Sequence, residues 1–114
     1  MAYFVVTSEQ GPAWVGSRSM GEQELWDEHA AFINAALDAE FVVLGGPLGD
    51  GRPYRALLIV NSASASAVRA RLAEDPWLRA GVLRILSVDA WKLLVSNEKL
   101  DPVLAEITKT DPPT

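Results

Sequence analysis

The sequence of 114 residues contains no cysteine and a single histidine. The absence of cysteine excludes a disulfide scaffold and any chemistry that depends on a thiolate. One histidine without cysteine leaves too few nitrogen and sulfur ligands for a tetrahedral zinc site. We therefore expect neither a bound metal nor another cofactor.

Positive charge is also scarce, since ten Lys and Arg face fifteen Asp and Glu and the net charge is −5. A protein that binds nucleic acid needs a basic surplus to replace the counterions of the phosphate backbone, so this class is not expected. No apolar run approaches the roughly 20 residues of a membrane helix. The first residues also lack the basic and apolar pattern of a secretion signal. These features predict a cytoplasmic protein without membrane contacts.

The hydrophobic pattern predicts the element order strand, helix, strand, strand, helix, strand. The predicted strands cover residues 3–7, 41–44, 55–60 and 83–91, and the predicted helices cover 22–39 and 65–74. This order is typical of the ferredoxin-like α+β fold, in which two helices lie on one face of an antiparallel sheet. We expect the first and last strands to form the middle of that sheet.

The predicted domain covers residues 1–95, and residues 96–114 form a partly disordered C-terminal extension with a helical turn over 103–108. The segment 11–21 is rich in glycine and serine and offers little packing apart from Trp14. We predict that this loop is mobile and lies at the mouth of a pocket.

Three of the four predicted strands are continuous apolar runs, such as Phe4-Val5-Val6. An antiparallel sheet with one solvated face instead alternates between apolar and polar residues. Because two helices cover only one face of the sheet, a second copy of the chain is expected to cover the other. The sequence therefore predicts a homodimer.

Four segments resemble the YciI-like family (the YCII-related domain), and the similarity extends over residues 3–91. They are the strand Tyr3-Phe4-Val5-Val6, His29 in the first helix, Gly45-Gly46-Pro47-Leu48, and the most specific, Asp75-Pro76-Trp77-Leu78-Arg79-Ala80-Gly81-Val82. The resemblance implies a dimeric ferredoxin-like α/β barrel, similar in architecture to muconolactone isomerases and small antibiotic-type monooxygenases. It also implies a His–Asp pair, here His29 and Asp75, as the active site, and some relatives act on aromatic or quinol rings.

His29 and Asp75 each have a structural interpretation beside the functional one. His29 lies on the apolar stripe of its helix, where the pattern alone favours a core histidine bonded to a backbone carbonyl, and the family resemblance favours a site residue. Asp75, followed by Pro76, is typical of a helix N-cap with proline at the first helical position. The two roles of Asp75 are compatible, because one oxygen can cap the helix while the carboxylate also orients an imidazole. We predict that Asp75 lies within hydrogen-bond reach of His29, which leaves the second ring nitrogen free as a base.

Six further residues are candidates for the substrate pocket. The glycine and proline after the second strand let a ligand approach the backbone or simply end the strand, and two tryptophans form aromatic walls or belong to the core or an interface. An acidic residue two turns before His29 shares its helix face or is merely solvated. Members of the similar family carry an arginine in the first helix before the histidine, whereas Glu22 and Trp26 occupy those positions here, and a loop arginine is a candidate to substitute for it. These candidates are Gly46, Pro47, Trp14, Trp77, Glu22 and Arg18.

The favoured function is cofactor-independent acid–base catalysis on a small cyclic or aromatic metabolite, of the isomerase, lyase or dehydrochlorinase type. Proton transfer is favoured over acyl transfer because the Gly-x-Ser-x-Gly nucleophile motif is absent. The alternatives are a small-ligand-binding or interaction module without turnover, and a structural dimer with a vestigial site. An open cavity beside His29 favours the enzyme over these alternatives.

Overall fold

The structure, a computed structural model, describes residues 1–95 of the chain. The predicted extension 96–114, with its helical turn over 103–108, lies outside the described residues. Within them, the order of the main elements follows the prediction, with a short 3-10 helix and a third, four-residue helix in addition. The elements are β1 Ala2–Gln10, the 3-10 helix Met20–Glu22, α1 Trp26–Asp38, β2 Val42–Leu48, β3 Arg55–Ser62, α2 Ala65–Leu72, α3 Pro76–Arg79 and β4 Leu83–Trp91.

The four strands form one antiparallel sheet in the order β2-β3-β1-β4, which confirms the ferredoxin-like fold. The expectation that the first and last strands occupy the middle is wrong, because β1 and β3 are central and β4 is an edge strand. Each helical connection passes over one intervening strand, so the second strand of each half lies at an edge. β1 nevertheless pairs with β4, and this keeps the start of β4 close to the helix that follows β1.

The main core lies between the sheet and helices α1 and α2. Phe4 and Val60 face each other across β1 and β3 and contact the buried face of α2, where Val68 is fully buried. A second cluster combines Trp77 of α3 with Tyr54, which precedes β3, and with the start of β4. The second cluster lies beside the site described below.

The face of the sheet that points away from the helices is only partly apolar. Val5 lies at its centre, but a hydrogen bond joins Thr7 to Ser87 and an ion pair joins Glu9 to Arg84 on the same face. The expectation of an apolar outer face is therefore confirmed for the centre of the sheet and wrong for the end that includes Glu9. Cross-strand polar pairs of this kind are stable in water and need no covering subunit.

Helix α1 begins four residues later than the sequence pattern predicts. Leu25 adopts a left-handed conformation with φ of 62°, and this separates α1 from the 3-10 helix. Glu22 belongs to that 3-10 helix, where its carboxylate accepts a hydrogen bond from the Ser19 backbone at 2.9 Å. Hydrogen bonds from Ser19 hold the pKa of the Glu22 carboxyl below its ordinary value. Glu22 therefore does not share a helix face with His29, and that expectation is wrong.

The longest helix in residues 1–95 is α1, with 13 residues, and none of the helices described there has the length and apolar character needed to cross a bilayer.

The loop after β1 begins at a glycine that allows a close backbone approach. Gly11 donates its N–H to the Val82 carbonyl at 2.8 Å. A Cβ atom at Gly11 would lie 2.2 Å from the carbonyl oxygen of Gly81, whereas a Cβ atom at Gly16 would contact nothing within 4 Å. Only the first of these positions in the loop therefore requires glycine.

We expect Gly11→Ala to lower the free energy of unfolding by about 1–3 kcal/mol, because a backbone oxygen cannot rotate away from the added methyl group. Gly16→Ala, the matched control in the same loop, should change it by less than about 0.5 kcal/mol. Urea denaturation followed by circular dichroism measures both values. Equal stability of the two variants would contradict the close approach at Gly11.

Candidate active site

The structure brings His29 and Asp75 into direct contact. His29 lies in the first turn of α1, and Asp75 immediately precedes α3. The Nδ1 atom of His29 lies 2.8 Å from Oδ2 and 2.9 Å from Oδ1 of Asp75. The side chains are 13% and 4% exposed, respectively. The predicted contact is therefore present, in a largely buried environment.

Asp75 also caps helix α3. Its Oδ1 atom accepts the backbone N–H of Trp77 at 2.9 Å, and Pro76 occupies the first helical position. Two donors thus offset the cost of burying this carboxylate. An ionised carboxylate only accepts hydrogen bonds, so Nδ1 of His29 carries the proton in this contact. In the neutral imidazole, the lone pair is then on Nε2.

Two tryptophans fix the plane of the imidazole. The ring of Trp77 stacks on that of His29, with centroids 3.9 Å apart and an interplanar angle of 6°. Trp77 is fully buried, and its indole N–H donates to the carbonyl of Glu24 at 2.7 Å. Trp26 packs against the cluster that contains Trp77, and the centroids of its ring and the His29 ring are 5.9 Å apart. Trp77 therefore supports the imidazole from behind and does not line the cavity, contrary to the sequence-based expectation.

A cavity of about 420 Å3 lies in front of His29, between α1 and the sheet. Its size is typical of a small-molecule site. The lining is mainly aliphatic and aromatic, and its four polar side chains are Ser8, His29, Tyr54 and Asp75. Among residues 1–95, no hydrogen-bond partner occupies Nε2 of His29. The cavity thus brings an unpaired imidazole nitrogen together with space for a ligand.

A second cavity of about 460 Å3 adjoins the first on the side of the loop, and we call it the outer cavity. Trp14 and Arg18, which are candidates for the substrate pocket in the sequence, line the outer cavity. Met20, Pro47 and Tyr54 line both cavities. Gly46 lines the inner one, and Glu22 lines neither. The predicted pocket residues are therefore divided between two adjoining spaces.

Strand β2 brings its backbone close to the inner cavity. The expectation that the strand ends before Gly45 is wrong, because β2 continues through Gly45, Gly46 and Pro47 to Leu48. A Cβ atom at Gly45 would lie 2.9 Å from the backbone oxygen of Leu57, whereas one at Gly46 would meet nothing within 4 Å. Gly45 thus permits strand packing, and Gly46 leaves open space at the cavity.

A buried glutamine holds the loop that borders the outer cavity. Gln23 is 4% exposed, and its Oε1 atom accepts the N–H of Val15 at 2.9 Å. Its Nε2 atom donates to the carbonyls of Val15 at 2.8 Å and Arg18 at 3.0 Å. The position of the loop at the pocket mouth agrees with the sequence-based expectation, while its mobility stays a prediction.

Tyr54 is not among the candidate residues in the sequence, yet it is 7% exposed and lines both cavities. Its hydroxyl donates to the Met20 sulfur at 3.2 Å, and its ring stacks on Trp14 with centroids 4.5 Å apart. Burial raises the pKa of the Tyr54 phenol. Side chains alternate between the two faces of a strand, and Leu58 and Ala56 of β3 both point at the inner cavity. The same alternation, continued two residues before Ala56, predicts that Tyr54 also points at the cavity.

Comparisons with known proteins support the fold. No protein-family model and no curated protein matches the chain. Among solved structures, the chain is similar to the 5-chloro-2-hydroxyhydroquinone dehydrochlorinase TftG from Burkholderia phenoliruptrix AC1100, in its complex with 2,5-dihydroxybenzoquinone. The TM-score is 0.58 and the identity 23%, over 79% of this chain and 93% of that chain. This similarity shows the shared architecture.

The described part of the chain has no group of three His, Asp or Glu side chains that could hold a metal ion. The side chains at the inner cavity include one imidazole, one carboxylate and two hydroxyl groups.

We expect the neutral form of His29 to be the Nδ1–H tautomer, because Asp75 accepts a hydrogen bond at that atom. Long-range nitrogen–proton NMR spectra distinguish the tautomers, and the chain has only one histidine to assign. In Asp75→Asn, the amide can donate to Nδ1, so the population should move toward the Nε2–H tautomer. A dominant Nε2–H form in the wild-type protein would contradict the arrangement.

Proposed function

We propose that the protein is a cofactor-independent acid–base enzyme of the YciI-like type, with a small cyclic or aromatic substrate. The single observation that carries this proposal is the pairing of His29 Nδ1 with Asp75 beside a cavity in which Nε2 has no partner in the described chain. His29 acts as the base, and Asp75 orients it and stabilises the imidazolium that forms.

The proposed step is a proton transfer from the substrate to Nε2 of His29. In an elimination from the keto tautomer of a chlorinated quinol, in which the chlorine is on a saturated carbon, the electron pair of the broken O–H or C–H bond forms a new π bond and expels chloride. In an isomerisation, Nε2 returns the proton to another atom of the substrate. Both routes need only a correctly placed base, whose contribution is typically 10²–10⁴-fold in rate.

The properties of the inner cavity favour a ring as substrate. Its volume of about 420 Å3 and its walls, which include Val6, Ile33 and Leu58, suit a small apolar body with few polar groups. The name of the similar solved enzyme, a dehydrochlorinase of a chlorinated hydroxyhydroquinone, supports the same class of substrate. The Trp77 ring stacks on His29 and holds the imidazole in one orientation beside the cavity in which the substrate ring would bind.

The direct experiment is an anaerobic assay of chloride release from 5-chloro-2-hydroxyhydroquinone, combined with deuterium uptake from heavy water into unchlorinated quinols. We expect His29→Gln to lose about 10²–10⁴-fold in rate, because the base is absent. Asp75→Asn should lose a similar factor, because it keeps the helix cap but favours the wrong tautomer. Glu28→Gln, an exposed neighbour of His29, is the matched control and should retain the full rate.

Two results would contradict the proposal. One is a wild-type protein that does no better than buffer in both assays, and the other is a His29→Gln variant as fast as the wild type. Binding of these quinols without turnover would instead support the small-ligand-binding module.

We further propose that the functional unit is a homodimer. On the edge strand β4, Leu86 and Trp91 are 49% and 43% exposed, and Leu94 and Val95, which follow it, are 80% and 86% exposed. Exposed apolar side chains on and directly after an edge strand are typical of an interaction surface.

Light scattering coupled to size exclusion at micromolar concentration should give about twice the chain mass of 12.3 kDa. Leu86→Lys should shift the mass toward the monomer, because the charge would be buried without a partner. A wild-type mass of one chain would rule the dimer out.

A further inference from the structure

We propose that the hydroxyl group of Tyr54 holds an oxygen atom of the substrate while His29 takes its proton. This inference rests on the proposed function of the inner cavity and narrows the substrate to a ring that carries a hydrogen-bond-accepting oxygen. Tyr54 and His29 line the same cavity, and they are two of its four polar side chains.

The hydroxyl of Tyr54 has a weak partner in the structure. It donates to the Met20 sulfur at 3.2 Å, and a thioether is a much poorer acceptor than a carbonyl or hydroxyl oxygen. A ligand oxygen that replaces the sulfur therefore improves the hydrogen bond, and Tyr54 gives up little to form it. A hydroxyl already engaged with a backbone carbonyl would lack this capacity.

The position of Tyr54 is fixed on both its backbone and its ring. Its backbone N–H donates to the Gln10 side-chain oxygen at 3.0 Å, and its carbonyl accepts the Gln10 backbone N–H at 2.8 Å. Its ring stacks on Trp14 at an interplanar angle of 13°. A donor held in this way loses little conformational entropy when the ligand binds.

The environment also keeps the phenol protonated. Burial raises its pKa, so the group remains a donor at neutral pH and does not become a competing anion. In the proposed step, charge that develops on a substrate oxygen after proton removal is stabilised by this donor, in the manner of an oxyanion hole.

The test uses two ring probes of the same shape, hydroquinone and p-xylene, in which hydroxyl groups and methyl groups occupy the same positions. Isothermal titration calorimetry in anaerobic buffer measures their affinities for the wild type and three variants. We expect the wild type to bind hydroquinone more tightly than p-xylene. Tyr54→Phe should lower the affinity for hydroquinone on the order of tenfold and leave the affinity for p-xylene unchanged. Thermal unfolding checks that the variant retains its fold, since the stacked ring is preserved.

Two further variants separate ligand binding from a purely structural role. Met20→Leu removes the sulfur acceptor at nearly constant volume, and this variant should keep the preference for hydroquinone over p-xylene, because the Tyr54 hydroxyl stays available. Equal losses in Met20→Leu and Tyr54→Phe would overturn the proposal, since they would show that the Tyr54–Met20 bond only supports the loop. If Ser8→Ala lowers the affinity for hydroquinone and Tyr54→Phe does not, the substrate oxygen binds Ser8. That result would also overturn the proposal for Tyr54.

The outcomes distinguish this inference from the proposed function. If the wild type binds p-xylene as tightly as hydroquinone, or if Tyr54→Phe binds hydroquinone as the wild type does, the role of Tyr54 is wrong, whereas His29-dependent turnover still stands. If neither probe binds the wild type, both the ring-binding cavity and the role of Tyr54 are wrong.

Discussion

The arrangement of the site depends on one buried carboxylate that accepts hydrogen bonds from two elements. Asp75 receives the Nδ1–H of His29 from α1 and the backbone N–H of Trp77 from α3, and it is 3% exposed. A carboxylate this buried is stable only when its oxygens are satisfied, so the helix cap and the imidazole contact are parts of one constraint. The cap also sets the start of α3, which places the Trp77 ring against the imidazole.

This constraint explains why the structural and functional interpretations of the pair do not exclude each other. His29 packs as a core residue on one side, against Trp77, and faces a cavity on the other. Because most of the His29 side chain is buried, the fold holds this proposed catalytic base in one orientation. The main core packs α1 against the sheet, and the inner cavity lies between these two elements. Met20 and Tyr54 then form the boundary between this inner cavity and the outer one.

The sequence predicted the features that depend on local chemistry. The Asp75-Pro76 step identified a cap, the apolar stripe pointed His29 at the sheet, and the strand pattern gave the fold. It did not predict where α1 begins, because the left-handed Leu25 has no local signal, and so Glu22 was misplaced. It also missed Tyr54, whose importance comes from contacts with distant residues. The predicted order of strands in the sheet was wrong for the same reason, because the pairing of strands depends on residues that are distant in the sequence.

Both proposals require that one ring ligand lies in the inner cavity, between His29 and the Tyr54 hydroxyl. The most direct measurement is a crystal structure of the protein with 2,5-dihydroxybenzoquinone. We expect the ring in the inner cavity, with one oxygen bonded to the Tyr54 hydroxyl and another atom within about 3.2 Å of His29 Nε2. A ring bound in the outer cavity alone, beside Arg18 and away from His29, would show that this binding mode is wrong.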